Sequence, residues 1–358
     1  MGRLGERSPL RDPMESGTSS PEPVHEERVL LLKDESKKIT MVISDVHIGF
    51  EEELLKDGIY IPDQTMDLLS KAKRIISENK VERVIINGDL KHRVPTTQWK
   101  YRKKQLDQFD EKGERTEGSI QDRMEKLILE IKKAKPEDRK RLQLKFEELE
   151  REKGKFYRKS RKERFSILEK SEMELKHVAQ FVRSLLDTCE VDVIPGNHDG
   201  RIQKELESNY PTLTSEQGLR FHGADGIIVG NAGIFHGHAW PSADVISQDY
   251  IIMGHGHAAV LLTDGLGVRN YEHCWLRARF TEKVHEKFLD ANGEIILTPS
   301  FNDFFRGSPV NRRGRLLGPL FKNDFVDVDN GQIFLLDGIN LGNVSTLKKM
   351  AQGSSWRR

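Results

Sequence analysis

Five short apolar runs along this chain each end in a turn that carries Asp, Asn or His. Ile39 to Ser44 leads into Asp45 and His47, and Val84 to Gly88 leads into Asp89. Val191 to Ile194 leads through Pro195 and Gly196 into Asn197, His198 and Asp199. Gly233 to Phe235 is followed by His236 and His238, and Tyr250 to Gly254 by His255 and His257. Runs this short and this largely apolar suit strands buried on both faces, as in a parallel sheet. Ligands of α/β sheets bind outside the carboxyl ends of the strands, so five such ends predict one polar cluster along one sheet edge.

The remaining periodicity fills in the scaffold. Arg28 to Leu32 and Ile39 to Ile43, separated by the polar stretch Lys33 to Lys38, predict a hairpin. Pro62-Asp63 opens a helix with Leu68, Leu69, Ala72, Ile75 and Ile76 on one face, and Leu175, Val178, Phe181, Val182 and Leu185 mark another before Val191. Between them, residues 100–171 are long-range helical in pattern and densely charged. Ile120, Met124, Leu127 and Ile131 form one stripe, Pro136 interrupts it, and Leu142, Phe146 and Leu149 resume it. A charged helical hairpin inserted into one α/β domain is the simplest structure. After Gly200, Asp225-Gly226, Asp264-Gly265, Asn292-Gly293 and Asn330-Gly331 read as hairpin turns. Residues 1–26, rich in Ser, Pro, Gly and charge, predict a disordered leader, 27–345 the folded domain, and 346–358 a flexible tail.

Composition narrows the function classes. Charged residues make up 32% of the 358, but 58 basic residues against 57 acidic ones leave no whole-chain case for a polyanionic partner. Any such case is local: Arg151 to Arg164 holds an excess of Lys and Arg around Phe156 and Tyr157, which suits phosphate backbone and bases as well as a solvated helix. Two cysteines, Cys189 and Cys274, make no disulfide framework. With no apolar run of membrane-spanning length, the expectation is a cytoplasmic protein without a membrane partner.

The order D-x-H, G-D, G-N-H-D, H-G, G-H-x-H resembles the calcineurin-like metallophosphoesterases over roughly residues 28–345. D-V-H-I-G-F-E, G-D-L-K-H, H-G-H-A-W-P and S-F-N-D look in particular like the archaeal phosphoesterases related to the SbcCD nuclease and to DNA-ligase-associated phosphoesterases. The resemblance implies two facing mixed β-sheets flanked by helices, a four-layer αββα sandwich. It further implies two divalent ions, Mn by preference with Fe, Co or Zn as alternatives. Asp45, His47, Asp89 and His257 would hold the first, and Asp89, Asn197, His236 and His255 the second. A metal-bridging hydroxide would attack in line, with His198 as general acid and His92 orienting it. His238, Arg93 and Asn302 are candidate substrate contacts. The activity implied is that of a phosphodiesterase or nuclease, with nucleic acid reached through the insertion. A small-molecule phosphodiesterase or nucleotide phosphatase, and a non-catalytic scaffold of the same fold, stay open at this stage.

Overall fold

The computed structural model describes residues 20–92 apart from 57, 172–312 apart from 265, and 316–353, with scattered helical positions between 123 and 151. Leu142 and Leu149 are helical and buried, but the predicted hairpin over 100–171 and Arg93 lie outside the described residues.

One sheet runs in chain order through β1 (Glu22–Pro23), β2 (Leu30–Lys33), β3 (Ile39–Ser44), β4 (Arg83–Asn87), β5 (Glu190–Ile194) and β6 (Leu219–Phe221). The predicted hairpin is β2–β3, and β3 to β6 are parallel. The second sheet contains β7 (Ile227–Val229), β8 (Ala232–Phe235), β9 (Tyr250–Met253), β10 (Ala258–Thr263), β11 (Arg269–Phe280), β12 (Glu294–Leu297), β13 (Ser308–Pro309), β14 (Val326–Leu335) and β15 (Asn340–Asn343). Its order is β13-β10-β11-β12-β9-β8-β7, with β14 and β15 branching from β11. β9 lies parallel to both β8 and β12.

Alternation along the central strands assigns each face to a layer. Met41 and Ile43, Val84 and Ile86, and Val191 and Val193 face the helices Thr65–Asn79 and 172–186, which bury the predicted stripes against them. Val42, Ile85 and Ile194 point the other way, onto Ile234, Ile252, Trp275 and Ile296 of the second sheet. The far face of that sheet packs on Val245, Ile246, Leu320, Phe321 and Val344 from its own short helices. The result is the expected sandwich of two mixed sheets between helical layers. The five polar strand ends come from β3, β4 and β5 of one sheet and β8 and β9 of the other, so both sheets meet at the site.

Several boundaries differ from the sequence reading. The ordered domain begins before residue 27: Glu22 and Pro23 pair with Leu31 and Leu30, and the Glu26 N–H donates to the Leu336 carbonyl. It also runs past 345, because helix Val344–Gly353 packs Leu347 on the core and Lys348 pairs with Asp329. Of the four hairpin dipeptides, Asp264-Gly265 falls in sequence between the paired neighbours β10 and β11, with Gly265 outside the described residues. The β7–β8 turn is Gly230-Asn231, Asn330 and Gly331 sit in an irregularity of β14, and the other two precede strands. A turn dipeptide reports local φ freedom and not which strands pair.

One polar residue in β5 escaped the sequence reading. Asp192 is fully buried and accepts from Arg83 Nε at 2.7 Å, from Arg220 Nη2 at 2.9 Å and from the His222 ring. Burial pushes its carboxyl upward, but bonds from His222, Arg83 and Arg220 outweigh burial and hold it well below the usual carboxylate range. A depressed folded pKa stabilises above the unfolded value of about 4 and is lost as pH falls through the folded value. Asp192→Ala is therefore expected to cost about 3 kcal/mol in urea unfolding at pH 7. Its deficit relative to wild type should shrink below about pH 4; a deficit constant down to pH 2 would contradict the assignment.

Candidate metal centre

The turns that leave β3 and β4 run side by side, which brings their polar residues together. The Asp45 N–H donates to the Gly88 carbonyl at 3.2 Å, His47 N–H to the Asp89 carbonyl at 2.8 Å, and Ile48 N–H to the Leu90 carbonyl at 3.0 Å. Asp45, His47, Asp89, His255 and His257 all adopt positive φ, between 42° and 63°. They are five of the nine non-glycine residues in that region among the described residues, so backbone strain is concentrated at the predicted ligands. Each such residue costs on the order of 1–3 kcal/mol, which the buried parallel core must offset. Two of the motif glycines are needed for close approach. A Cβ on Gly88, at φ 81°, would lie 2.0 Å from His236 Nδ1, and one on Gly196 would lie 2.1 Å from Asp89 Oδ1.

Three groups of side chains converge so that each residue offers a donor atom within 4.8 Å of the others. Two contain carboxylates: the first is Asp45, His47, Asp89 and His257, and the second is Asp89, His236 and His255. Asp89 alone belongs to both of these, and the third group is His47, His92 and His198. His257 Nε2 lies 3.1 Å from Asp45 Oδ1 and 3.3 Å from His47 Nε2, and His236 Nε2 lies 3.4 Å from Asp89 Oδ2. Asn197 joins the second group through Oδ1, 3.3 Å from His236 Nε2. Imidazole and carboxylate lone pairs turned on one another in a buried site repel unless a cation or a shared proton lies between them, and this donor set could hold metal ions.

Charge at the site follows from burial and neighbours. Burial pushes the Asp89 carboxyl up, but His236, His47 and His198 outweigh that effect and hold it far below its ordinary range. Burial lowers His236, yet the Asp89 and Asp45 carboxylates prevail and raise it to about 9. Burial, aided by His236, depresses His255 to about 4.

His198 lies beside both carboxylate-containing groups and is a fifth exposed. Its N–H donates to Asp89 Oδ1 at 2.9 Å, its Nδ1 contacts the His92 carbonyl, and its Nε2 stands 3.8 Å from Asp89 Oδ2. The orienting contact expected from His92 is thus made by its backbone. The His92 ring turns to Glu53, with Nε2 2.6 Å from Oε2, and to His47. His238 flanks the second group, its ring centroid 5.2 Å from that of His236, with Nδ1 buried and unpartnered; burial, aided by His236, lowers it to about 4.

Asn302 corrects its assignment as a substrate contact. It is 1% exposed, donates to the Val46 carbonyl at 3.1 Å and accepts from Phe304 N–H at 3.0 Å, so it braces the D-x-H turn from behind. Ser300 does the same by donating to the Asp45 carbonyl at 2.7 Å. Lys91 is 5% exposed and paired with Glu205.

Three contributors were not legible as such. Asp199, fully buried, accepts from Leu90 N–H at 2.9 Å, Lys91 N–H at 3.1 Å and Gly196 N–H at 3.1 Å, which splints the β4 turn to the β5 turn. Its place directly after Asn197 and His198 was the available signal. Phe305 stacks on His47 with centroids 4.2 Å apart and leans on Phe50 at 4.2 Å, walling one side of the site. Glu53 reaches it from helix Glu51–Lys56.

No family model matches the chain, and no curated protein matches it. Among solved structures, the crystal structure of Pseudomonas putida nuclease MPE is weakly similar: 13% identity, 89% of this chain and 98% of that one covered, TM-score 0.38. Among the described residues no helix is long and apolar enough to cross a membrane.

Proposed function

We propose that this chain is a dinuclear-metal phosphodiesterase, with nucleic acid as the substrate class. The observation that supports it most is the pair of buried donor groups sharing Asp89. Asp45, His47, Asp89 and His257 would hold one ion, and Asp89, Asn197, His236 and His255 the other, with Mn the preferred metal. When bound, such ions activate water and neutralise the phosphoryl oxygens.

The chain's own residues supply the rest. His198 directs Nδ1–H at the His92 carbonyl, so Nε2 faces the cluster and, in the imidazolium form, holds the proton that a leaving oxygen requires. Its backbone N–H keeps Asp89 in place whichever state the ring is in. Phe305 and Phe50 exclude water on the His47 side, which strengthens electrostatic interactions within the site.

Metal-stripped protein should be inactive and regain activity with Mn. Bis(p-nitrophenyl) phosphate and single- or double-stranded nucleic acid should be hydrolysed faster than p-nitrophenyl phosphate. Turnover of the monoester alone, or of none of these with Mn, Fe, Co or Zn, would sink the proposal.

A further inference from the structure

We infer that Glu53 is a positioning residue for the metal ligand His47, acting through the ring of His92; the inference rests on the dinuclear reading above. The geometry is a chain of three side chains. Glu53 Oε2 lies 2.6 Å from His92 Nε2, His92 Nδ1 lies 3.4 Å from His47 Nδ1, and His47 Nε2 enters the group formed with Asp45, Asp89 and His257.

Protons can be placed along it. A carboxylate only accepts, so the bond to Glu53 requires His92 to carry its proton on Nε2. A neutral imidazole has one N–H, which leaves a lone pair on His92 Nδ1. That lone pair is matched when His47 is protonated on Nδ1, and His47 Nε2 is then unprotonated and free to bind a metal. With His92 in the other tautomer, two N–H groups or two lone pairs would confront each other at one of the contacts. Ligating histidines are commonly oriented by a carboxylate or carbonyl on the second nitrogen; here a second imidazole is interposed between ligand and carboxylate.

The backbone holds this chain in register. The Phe50 N–H donates to the His47 carbonyl at 3.2 Å, Glu53 N–H to the Phe50 carbonyl at 2.9 Å, and His92 N–H to the Ile48 carbonyl at 2.9 Å. All three side chains therefore hang from the single segment 47–53 and the turn bonded to it. His92 thereby serves two histidines: its carbonyl meets His198 and its ring meets His47. Glu53 is more than half exposed, so its replacement removes the contact without opening the core.

The test is a calorimetric Mn²⁺ titration of metal-stripped wild type, Glu53→Ala and Glu53→Gln, with ring ¹⁵N NMR of the metal-free proteins. Wild type should take up two ions. Glu53→Ala should weaken one of the two sites by about 10–100-fold and leave the second unaltered. Its His92 should pass from the Nε2–H form to a mixture of tautomers, with the thermal midpoint of the metal-free protein unchanged. Glu53→Gln, whose amide oxygen still accepts from His92, should bind both ions close to wild type. Unchanged constants in Glu53→Ala, equal weakening of both sites, or Glu53→Gln as weak as Glu53→Ala would overturn the inference while leaving the dinuclear reading standing. A wild type that takes up no Mn²⁺ would overturn both.

Discussion

Asp89→Asn protein is expected to fold, to lose both metal ions together and to show no turnover above chelated wild type. The substitution preserves shape, and the side-chain oxygen that accepts from the His198 N–H remains available. What it removes is the one carboxylate common to both donor groups. A neutral amide cannot offset the charge of two cations in a site where Asp89 is only 2% exposed. His236 also loses the carboxylate that raises it, so its imidazole no longer has an anionic partner beside Nε2. Elemental analysis after dialysis against Mn measures stoichiometry, and diester hydrolysis measures rate. Retention of two ions with activity near wild type would remove the shared-carboxylate assignment; loss of one ion only would place Asp89 in a single site.

His198→Ala is expected to part metal binding from catalysis. A positioned general acid contributes typically 10²–10⁴-fold, and that loss should appear in kcat for diesters with alkoxide leaving groups, such as nucleotide linkages. It should shrink for nitrophenolate, a leaving group that departs without a proton. Two ions should remain, because His198 belongs to neither of the two carboxylate-containing groups and the bond it makes to Asp89 comes from its backbone N–H. The loop should also keep its shape, since Asp199 is tied to Leu90, Lys91 and Gly196 independently of the His198 ring. An equal loss for both leaving groups, or a fall in metal stoichiometry, would reassign His198 as a ligand.

The periodicities alone carried the scaffold. The apolar runs at Met41 to Ile43, Val84 to Ile86 and Val191 to Ile194 are buried on both faces, and a segment with no solvent side leaves little choice but the interior strands of a layered sheet. The helix faces at Leu68 to Ile76 and Val178 to Leu185 were likewise legible, since a stripe of period 3.6 can be buried in only one orientation. The polar cluster was legible because each of its Asp and His residues follows the end of such a strand. The tertiary structure decided everything that depends on partners distant in sequence. Asp192 reads as a blemish in an apolar strand until Arg83 and Arg220 are beside it. Asn302 reads as a candidate substrate contact until its amide is found on the backbone of residue 46. Glu53 reads as one of three acids in a helix's first turn until the β4 turn brings His92 to it. Hydrophobic pattern is a local property that burial acts on residue by residue, whereas the role of a polar side chain is set by the one or two atoms it meets, and the chain that delivers those atoms lies tens to hundreds of residues away.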